Sequence, residues 1–202
     1  MNPVINSHYN YEEAIIWLEK KGAELYGNHF KILKNEHHII FKLIAYFLKD
    51  QPTCLQLNID LNKGIMLSGP VGCGKTSLMN VMKHLTPVAN KFSVKPCRDI
   101  SFEFIKEGYE IIHKYSKSAP KIICFDDLGT ENNLKYFGNE CNVMAEILLS
   151  RYDLFISRKL QTHITTNLSA SEIEETYGNR VRSRLRSTLN LIAFDKDTKD
   201  KR

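Results

Sequence analysis

Long apolar runs are missing from this sequence, which excludes a membrane-spanning helix. The best candidate, Ile39 to Leu48, is broken by Lys42, and a helical span needs about 20 consecutive apolar residues. The first ten residues hold no basic stretch leading into an apolar core. No signal peptide is therefore expected, and the chain is expected to stay in the cytoplasm. Cysteine is sparse: there are five, an odd number, with no Cys-x-x-Cys pair. That spacing indicates neither a disulfide framework nor a zinc site. Cys124 sits inside an apolar run and reads as a small buried hydrophobe. Internal repeats and low-complexity tracts are absent too. Neither sign of charge dominates, and the net charge of +5 permits nucleic-acid binding without requiring it.

What remains is the composition of a folded domain. The 202 residues are 43% hydrophobic and 25% charged, which suits one domain with at most a small appendage. A chain of this size buries roughly 70% of its unfolded surface and needs no staple. Asn10 reads as the cap of a helix over Tyr11 to Tyr26, with Gly27 just past its end. A second helix is expected over Glu36 to Lys49, stopped by Pro52. Residues 1–60 thus read as a small helical segment, and 61–202 as the core.

From Leu61 the pattern changes to strands alternating with helices. Apolar strands are expected at Ile65 to Ser68, Phe92 to Pro96, Lys121 to Phe125, His163 to Thr166 and Leu189 to Phe194. Between them fall a helix from Ser77 and one capped by Ser101 and running to about Tyr115. The latter has Phe102, Ile105, Tyr109 and Ile112 on its apolar face. Further helices are expected over Val143 to Phe155, Ser171 to Tyr177 and Asn179 to Ser187. This grammar predicts an α/β fold with a mostly parallel sheet and helices on both faces.

Three segments carry chemistry. Gly69-Pro70-Val71-Gly72-Cys73-Gly74-Lys75-Thr76 matches G-x-x-x-x-G-K-[ST] in full, between an expected strand and the helix from Ser77. Its glycines let several backbone N–H groups point into one concavity at a helix N-terminus, which holds phosphates. Lys75 reaches the β- and γ-phosphates, and Thr76 offers its hydroxyl to Mg²⁺. The apolar strand ending in Asp126 and Asp127 delivers two carboxylates to the sheet edge where that loop lies. Asp126 is placed to hold Mg²⁺, and Asp127 to orient and deprotonate an attacking water. A solvated Asp-Asp turn is the plain alternative. His163 to Asn167 is another strand with a polar end. If it lies between the other two, Asn167 reaches the γ-phosphate or the water; otherwise it is a turn former.

The last segment is basic. From Arg180 to Arg186, four of seven residues are arginine. On a helix, Arg180 and Arg184 share one face, Val181 and Leu185 the next, and Arg182 and Arg186 a third. One pair could serve a phosphate while the other meets a different partner, or the whole could be a solvated basic helix.

Together these segments resemble the AAA+ ATPases of the DnaC and IstB type, the helicase loaders and their transposition-associated relatives. The P-loop resembles their Walker A, Phe125-Asp-Asp-Leu-Gly129 their Walker B, and Thr165-Thr-Asn167 their sensor 1. Tyr177-Gly-Asn-Arg-Val-Arg-Ser-Arg184-Leu resembles box VII, whose last arginine is the arginine finger. The likeness covers about Asn62 to Asp195. It implies Mg-ATP hydrolysis at a subunit interface of a homo-oligomer, with Lys75, Asp127, Asn167 and Arg184 catalytic. It implies nucleotide binding by residues 69–77, from Gly69 to Ser77, and metal binding by Thr76 and Asp126. It further implies a replicative helicase or transposase as partner and single-stranded DNA as ligand. Arg182, Arg186 and the segment Asn133 to Phe137 are the candidates for DNA contact.

The departures are a missing helical lid after Phe194 and no clear sensor 2 arginine, for which Lys199 and Arg202 are the nearest candidates. An aspartate, Asp127, also stands where a glutamate is usual. Asp127 and the missing lid leave a second reading, a nucleotide-gated interaction module with little hydrolysis, and a small-molecule P-loop kinase is a third. Box VII and the paired carboxylates argue against the kinase.

Overall fold

A computed structural model describes residues 9–116, 121–131, 134–136 and 139–201, with backbone alone for 134–136 and for 139 and 140. Five strands form one parallel sheet: β1 (Gly64–Ser68), β2 (Phe92–Pro96), β3 (Ile122–Leu128), β6 (Thr162–Thr166) and β7 (Leu189–Ala193). Their order is β2-β3-β6-β1-β7. Two short strands, β4 (Leu134–Tyr136) and β5 (Asn139–Cys141), pair antiparallel beside it.

Alternation along the strands splits the core in two, because successive side chains point to opposite faces. Ile65, Leu67, Phe92, Cys124 and Ile192 face one layer of helices. That layer is α1 (Tyr11–Tyr26), α2 (His37–Phe47), α3 (Gln51–Gln56) and α4 (Lys75–Met82). Met66, Ile123, Phe125, Ile164 and Leu189 face the other layer. There lie α5 (Cys97–Glu107), α6 (Glu110–Ser116), α7 (Val143–Arg158), α8 (Ala170–Tyr177) and α9 (Asn179–Thr188). The helices of residues 1–60 thus pack against the sheet through one continuous cluster that includes Leu18, Leu43 and Phe47.

Two helix boundaries depart from the sequence reading. The helix expected from Ser101 to Tyr115 starts at Cys97 and is two helices. Ser101 is buried in α5, and Gly108 ends that helix with φ 63° and ψ −144°, a conformation that glycine adopts freely. The break also changes which face is inside. Cys97, Ile100 and Phe104 enter the core, while Phe102, Ile105 and Tyr109 are 55%, 54% and 47% exposed. Pro52 does not stop α2. That helix ends at Phe47, Lys49 turns at φ 60°, and Pro52 lies in the first turn of α3, where a proline costs no hydrogen bond. Asp50 caps α3 by accepting from the Thr53 amide at 3.3 Å.

Candidate nucleotide-binding site

The P-loop is a tight turn from β1 into α4. Gly74 stands at the N-cap of α4 with φ 93°, where a side chain would be strained. No side chain caps α4, and the N–H groups of such a helix start suit an anion. Lys75 is buried. Its ammonium donates to the carbonyl oxygens of Gly69 at 2.9 Å and Pro70 at 2.8 Å. Thr76 donates its hydroxyl proton to Asp126 Oδ1 at 3.0 Å.

β6 lies between β1 and β3, the condition under which Asn167 reaches the site. Ser68 stands opposite Thr166, and the Gly69 amide donates to the Thr166 carbonyl at 3.2 Å. Asn167 therefore leaves the sheet beside the P-loop. A cleft of about 270 Å³ is lined by Lys75, Thr76, Ser77, Asp127, Thr130 and Asn167, with Val71, Gly72 and Gly74. The acidic strand, the P-loop and the polar strand end thus converge.

The convergence depends on a bulge. β3 does not end at Phe125 but continues to Leu128. Phe125 faces Ile164 and Leu128 faces Thr166, so β3 spends one residue more than β6 over this stretch. Asp127 takes up the excess with φ 54°, a left-handed conformation that aspartate adopts more readily than most residues. In a regular strand Asp126 and Asp127 would point to opposite faces. With the bulge, Asp126 meets Thr76 while Asp127 lines the cleft.

Thr165 holds the bulge in place. Its hydroxyl donates to Asp126 Oδ1 at 2.6 Å and accepts from the Asp127 amide at 2.8 Å. Burial pushes the Asp126 carboxyl above its ordinary range; the Thr165 hydrogen bond opposes this and the charge of Asp127 adds to it. A cation beside Asp126 would reverse that shift. The sequence places Thr165 in the segment that resembles sensor 1 but gives the functional role there to Asn167; the bonds of Thr165 to Asp126 and Asp127 appear only in the structure.

The other sequence candidates lie elsewhere. Arg184 does not line the cleft of its own chain; its guanidinium sits 4.4 Å from the ring centroid of Tyr152 on α7. Val181 and Leu185 are buried as the helical wheel requires, and Arg180 and Arg186 are exposed. Arg182 pairs with Glu174 at 2.5 Å. Asn133, Phe137 and Arg202 lie outside the described residues. Lys199 is exposed, whereas Lys201, not singled out from the sequence, reaches the P-loop. Its amide donates to the Gly72 carbonyl at 3.1 Å, and its ammonium pairs with buried Glu36 at 2.5 Å. Lys201 and Glu36 line a second cavity, of about 140 Å³, behind the P-loop with Tyr26, Phe30 and Cys73.

Among the described residues, no group of three or more His, Cys, Asp or Glu side chains could hold a metal ion. A cation at Thr76 and Asp126 would take most of its ligands from water and phosphate, the habit of Mg²⁺. The residues present fit a Mg-nucleotide.

The sheet order and the P-loop give an α/β P-loop fold, a parallel sheet with helices on both faces, and solved structures share it. The structure is similar to a putative primosome component from Streptococcus pyogenes serotype M3, with a TM-score of 0.60 at 17% identity over 90% of this chain and 97% of that one. It is similar to the DnaC helicase loader, with a TM-score of 0.58 at 18% identity over 82% of this chain and 93% of that one. It is also similar to AMPPCP-bound DnaA from Aquifex aeolicus, with a TM-score of 0.54 at 18% identity over 96% of this chain but only 53% of DnaA. No protein-family model and no curated protein matches the sequence. Among the described residues, no helix is long and apolar enough to cross a membrane.

Proposed function

We propose that this chain binds and hydrolyses Mg-ATP and acts as a DnaC-like replication or transposition ATPase. What carries the reading is the meeting of Lys75, Thr76, Asp127 and Asn167 in one cleft, with Asp126 bonded to Thr76 behind it. The P-loop amides and Lys75 bind the phosphates. Lys75 releases its loop carbonyls and turns its ammonium to the β- and γ-phosphates. Thr76 and Asp126 would hold Mg²⁺, which neutralises charge on the phosphate oxygens when bound. Asn167 orients a water in line with the γ-phosphate. Asp127 accepts that water's proton as the O–P bond forms and ADP leaves. The cavity behind the P-loop takes the nucleoside.

Charge on the transferring phosphoryl needs a further cation, and Arg184 does not line this cleft. We assign it to the cleft of a neighbouring copy in a homo-oligomer, where such fingers are worth roughly 10³ to 10⁵ in rate. On this reading residues 61–202 are the ATPase core and 1–60 a helical segment packed on it. The primosome-component and helicase-loader neighbours support a replicative helicase as the protein partner, with a transposase the alternative. A DnaA structure bound to single-stranded DNA supports that ligand here, with Arg186 the stronger contact because Arg182 is paired.

The test is phosphate release from Mg-ATP against protein concentration, with and without single-stranded DNA, for wild type and Arg184→Ala. Specific activity should rise with concentration and with DNA, and should fall by about 10³-fold or more in the variant. ATP binding should persist. Activity flat with concentration and indifferent to Arg184 refutes the shared site. Binding without turnover favours a nucleotide-gated interaction module, for which the short reach of Asp127 speaks.

A further inference from the structure

The loop after the bulge has an anchor that hydrolysis as described above does not use. Glu131 Oε2 accepts the Gly129 amide at 3.0 Å, and its Oε1 accepts the hydroxyl proton of Tyr177. Tyr177 is the last residue of α8 and is buried in the core with Ile173, Val181 and Leu185. One residue further, Gly178 turns the chain at φ 85° into α9, which carries Arg184. Asn142, the N-cap of α7, ties down the same corner by donating to the Thr176 carbonyl at 2.9 Å.

On the cleft side the anchor continues to Asp127. The Thr130 amide and hydroxyl both donate to the Asp127 carbonyl, at 3.1 and 2.7 Å. Gly129, at φ 104°, lies so close to Leu168 that a side chain there would collide with it. The loop therefore has little room to shift without carrying Asp127 along. Tyr177 stays a hydroxyl donor because burial, then the Glu131 charge, pushes its pKa up. Neither Glu131 nor Tyr177 lines the cleft.

We infer that Glu131 and Tyr177 are positioning residues that couple the Asp127 loop to the α8–α9 corner. A neighbouring subunit engaged by α9 then changes where Asp127 sits, and nucleotide in the cleft changes the setting of α9. This inference rests on the nucleotide site proposed above. It adds a path within one chain between the two halves of a shared site, through a tyrosine–glutamate bond linking residues 46 apart in sequence.

The test uses the full chain with Tyr177→Phe, Glu131→Ala and the double variant. Each single change should lower kcat by about 10- to 100-fold, as expected when a reacting group is displaced by about an ångström. KM for ATP should stay within about threefold of wild type, since phosphate binding is untouched. The double variant should be no slower than the worse single one, because both remove one link. Glu131→Gln keeps an acceptor for the tyrosine hydroxyl but sets its NH2 against the Gly129 amide, so it should recover only part of the activity lost in Glu131→Ala.

Hydrogen exchange separates this from a merely structural bond. In wild type, AMPPCP with Mg²⁺ should slow exchange at residues 72–76 and also at 173–185. In Tyr177→Phe the first effect should remain and the second should vanish. A Tyr177→Phe protein with kcat within about twofold of wild type, additive losses in the double variant, or unchanged coupling to 173–185 each overturns the inference. Absent protection at 72–76 in wild type refutes the nucleotide site itself, a failure visible before any variant is made. If Tyr177→Phe does not fold, the same exchange comparison on Glu131→Gln and Glu131→Ala decides the matter.

Discussion

From Gly69 to Ser77, functional groups are positioned by bonds between near neighbours. Lys75 reaches back to Gly69 and Pro70, six and five residues away, and Gly74 sets the start of α4. At the end of β3 the groups are held from far along the chain. Thr165 lies 39 residues from Asp126, which it bonds, and 38 from Asp127. One half of the cleft is therefore a local motif. The other exists only when β6 sits beside β3 with a one-residue bulge. A short-range site survives small movements of the sheet, whereas one built on strand register does not.

Three substitutions probe that contrast. Lys75→Ala removes a charge from the local half and should lower turnover by more than about 100-fold, with α4 and the sheet intact by circular dichroism. Thr165→Val strikes the long-range half. It removes the buried hydrogen bond to Asp126 and leaves the half-buried Asp127 amide without its acceptor, and should cost about 1–3 kcal/mol of stability, read by urea unfolding. Turnover should fall about tenfold or more with it as Asp127 loses its setting. Thr165→Ser, which keeps the hydroxyl, should restore most of both. If Thr165→Val matches wild type in turnover, the bulge does not set Asp127.

His163 extends the contrast to stability. Its Nδ1 accepts the Ile65 amide from 98 residues away, at 3.0 Å. Burial, helped by the charges of Lys49 and Arg151, pushes its pKa down to about 3. In the unfolded chain it titrates near 6.5, so below about that pH the unfolded state takes up the proton first. Stability from this group is complete above pH ~6.5 and declines towards about pH 3. Between pH 7 and 5 the loss should be about 2 kcal/mol by urea unfolding. His163→Asn, which keeps an acceptor for Ile65, should flatten that slope. The smallest effect belongs to a local bond: Asn10→Ala removes the cap on the Glu13 amide and should cost about 1 kcal/mol.

The same division governs what could be read in advance. The P-loop was legible because its residues are contiguous and its chemistry follows from backbone freedom and one ammonium. Strand positions were legible from apolar runs, and Asn10, Val181 and Leu185 fell where their spacing placed them. The helix over Phe102 to Tyr109 was misread because its period alone does not say which of two apolar faces is inside. Gly108 broke the helix, and the face with Ile100 and Phe104 took the core. The bonds of Thr165 to the two aspartates were not legible because its partners lie 38 and 39 residues away, and Glu131 escaped notice because a glutamate beyond a motif carries no local signal.

Taken by itself, the sequence determined the βα grammar, the phosphate loop, the carboxylate pair and the arginine-bearing helix, since each depends on residues within a few positions of one another. The tertiary structure alone decided that β6 lies between β1 and β3, that a bulge turns Asp127 into the cleft, and that Tyr177 holds Glu131. Those outcomes depend on register and on contacts between residues dozens of positions apart. They are settled only when the two faces of the sheet are packed, because burial is what selects one register over its neighbours.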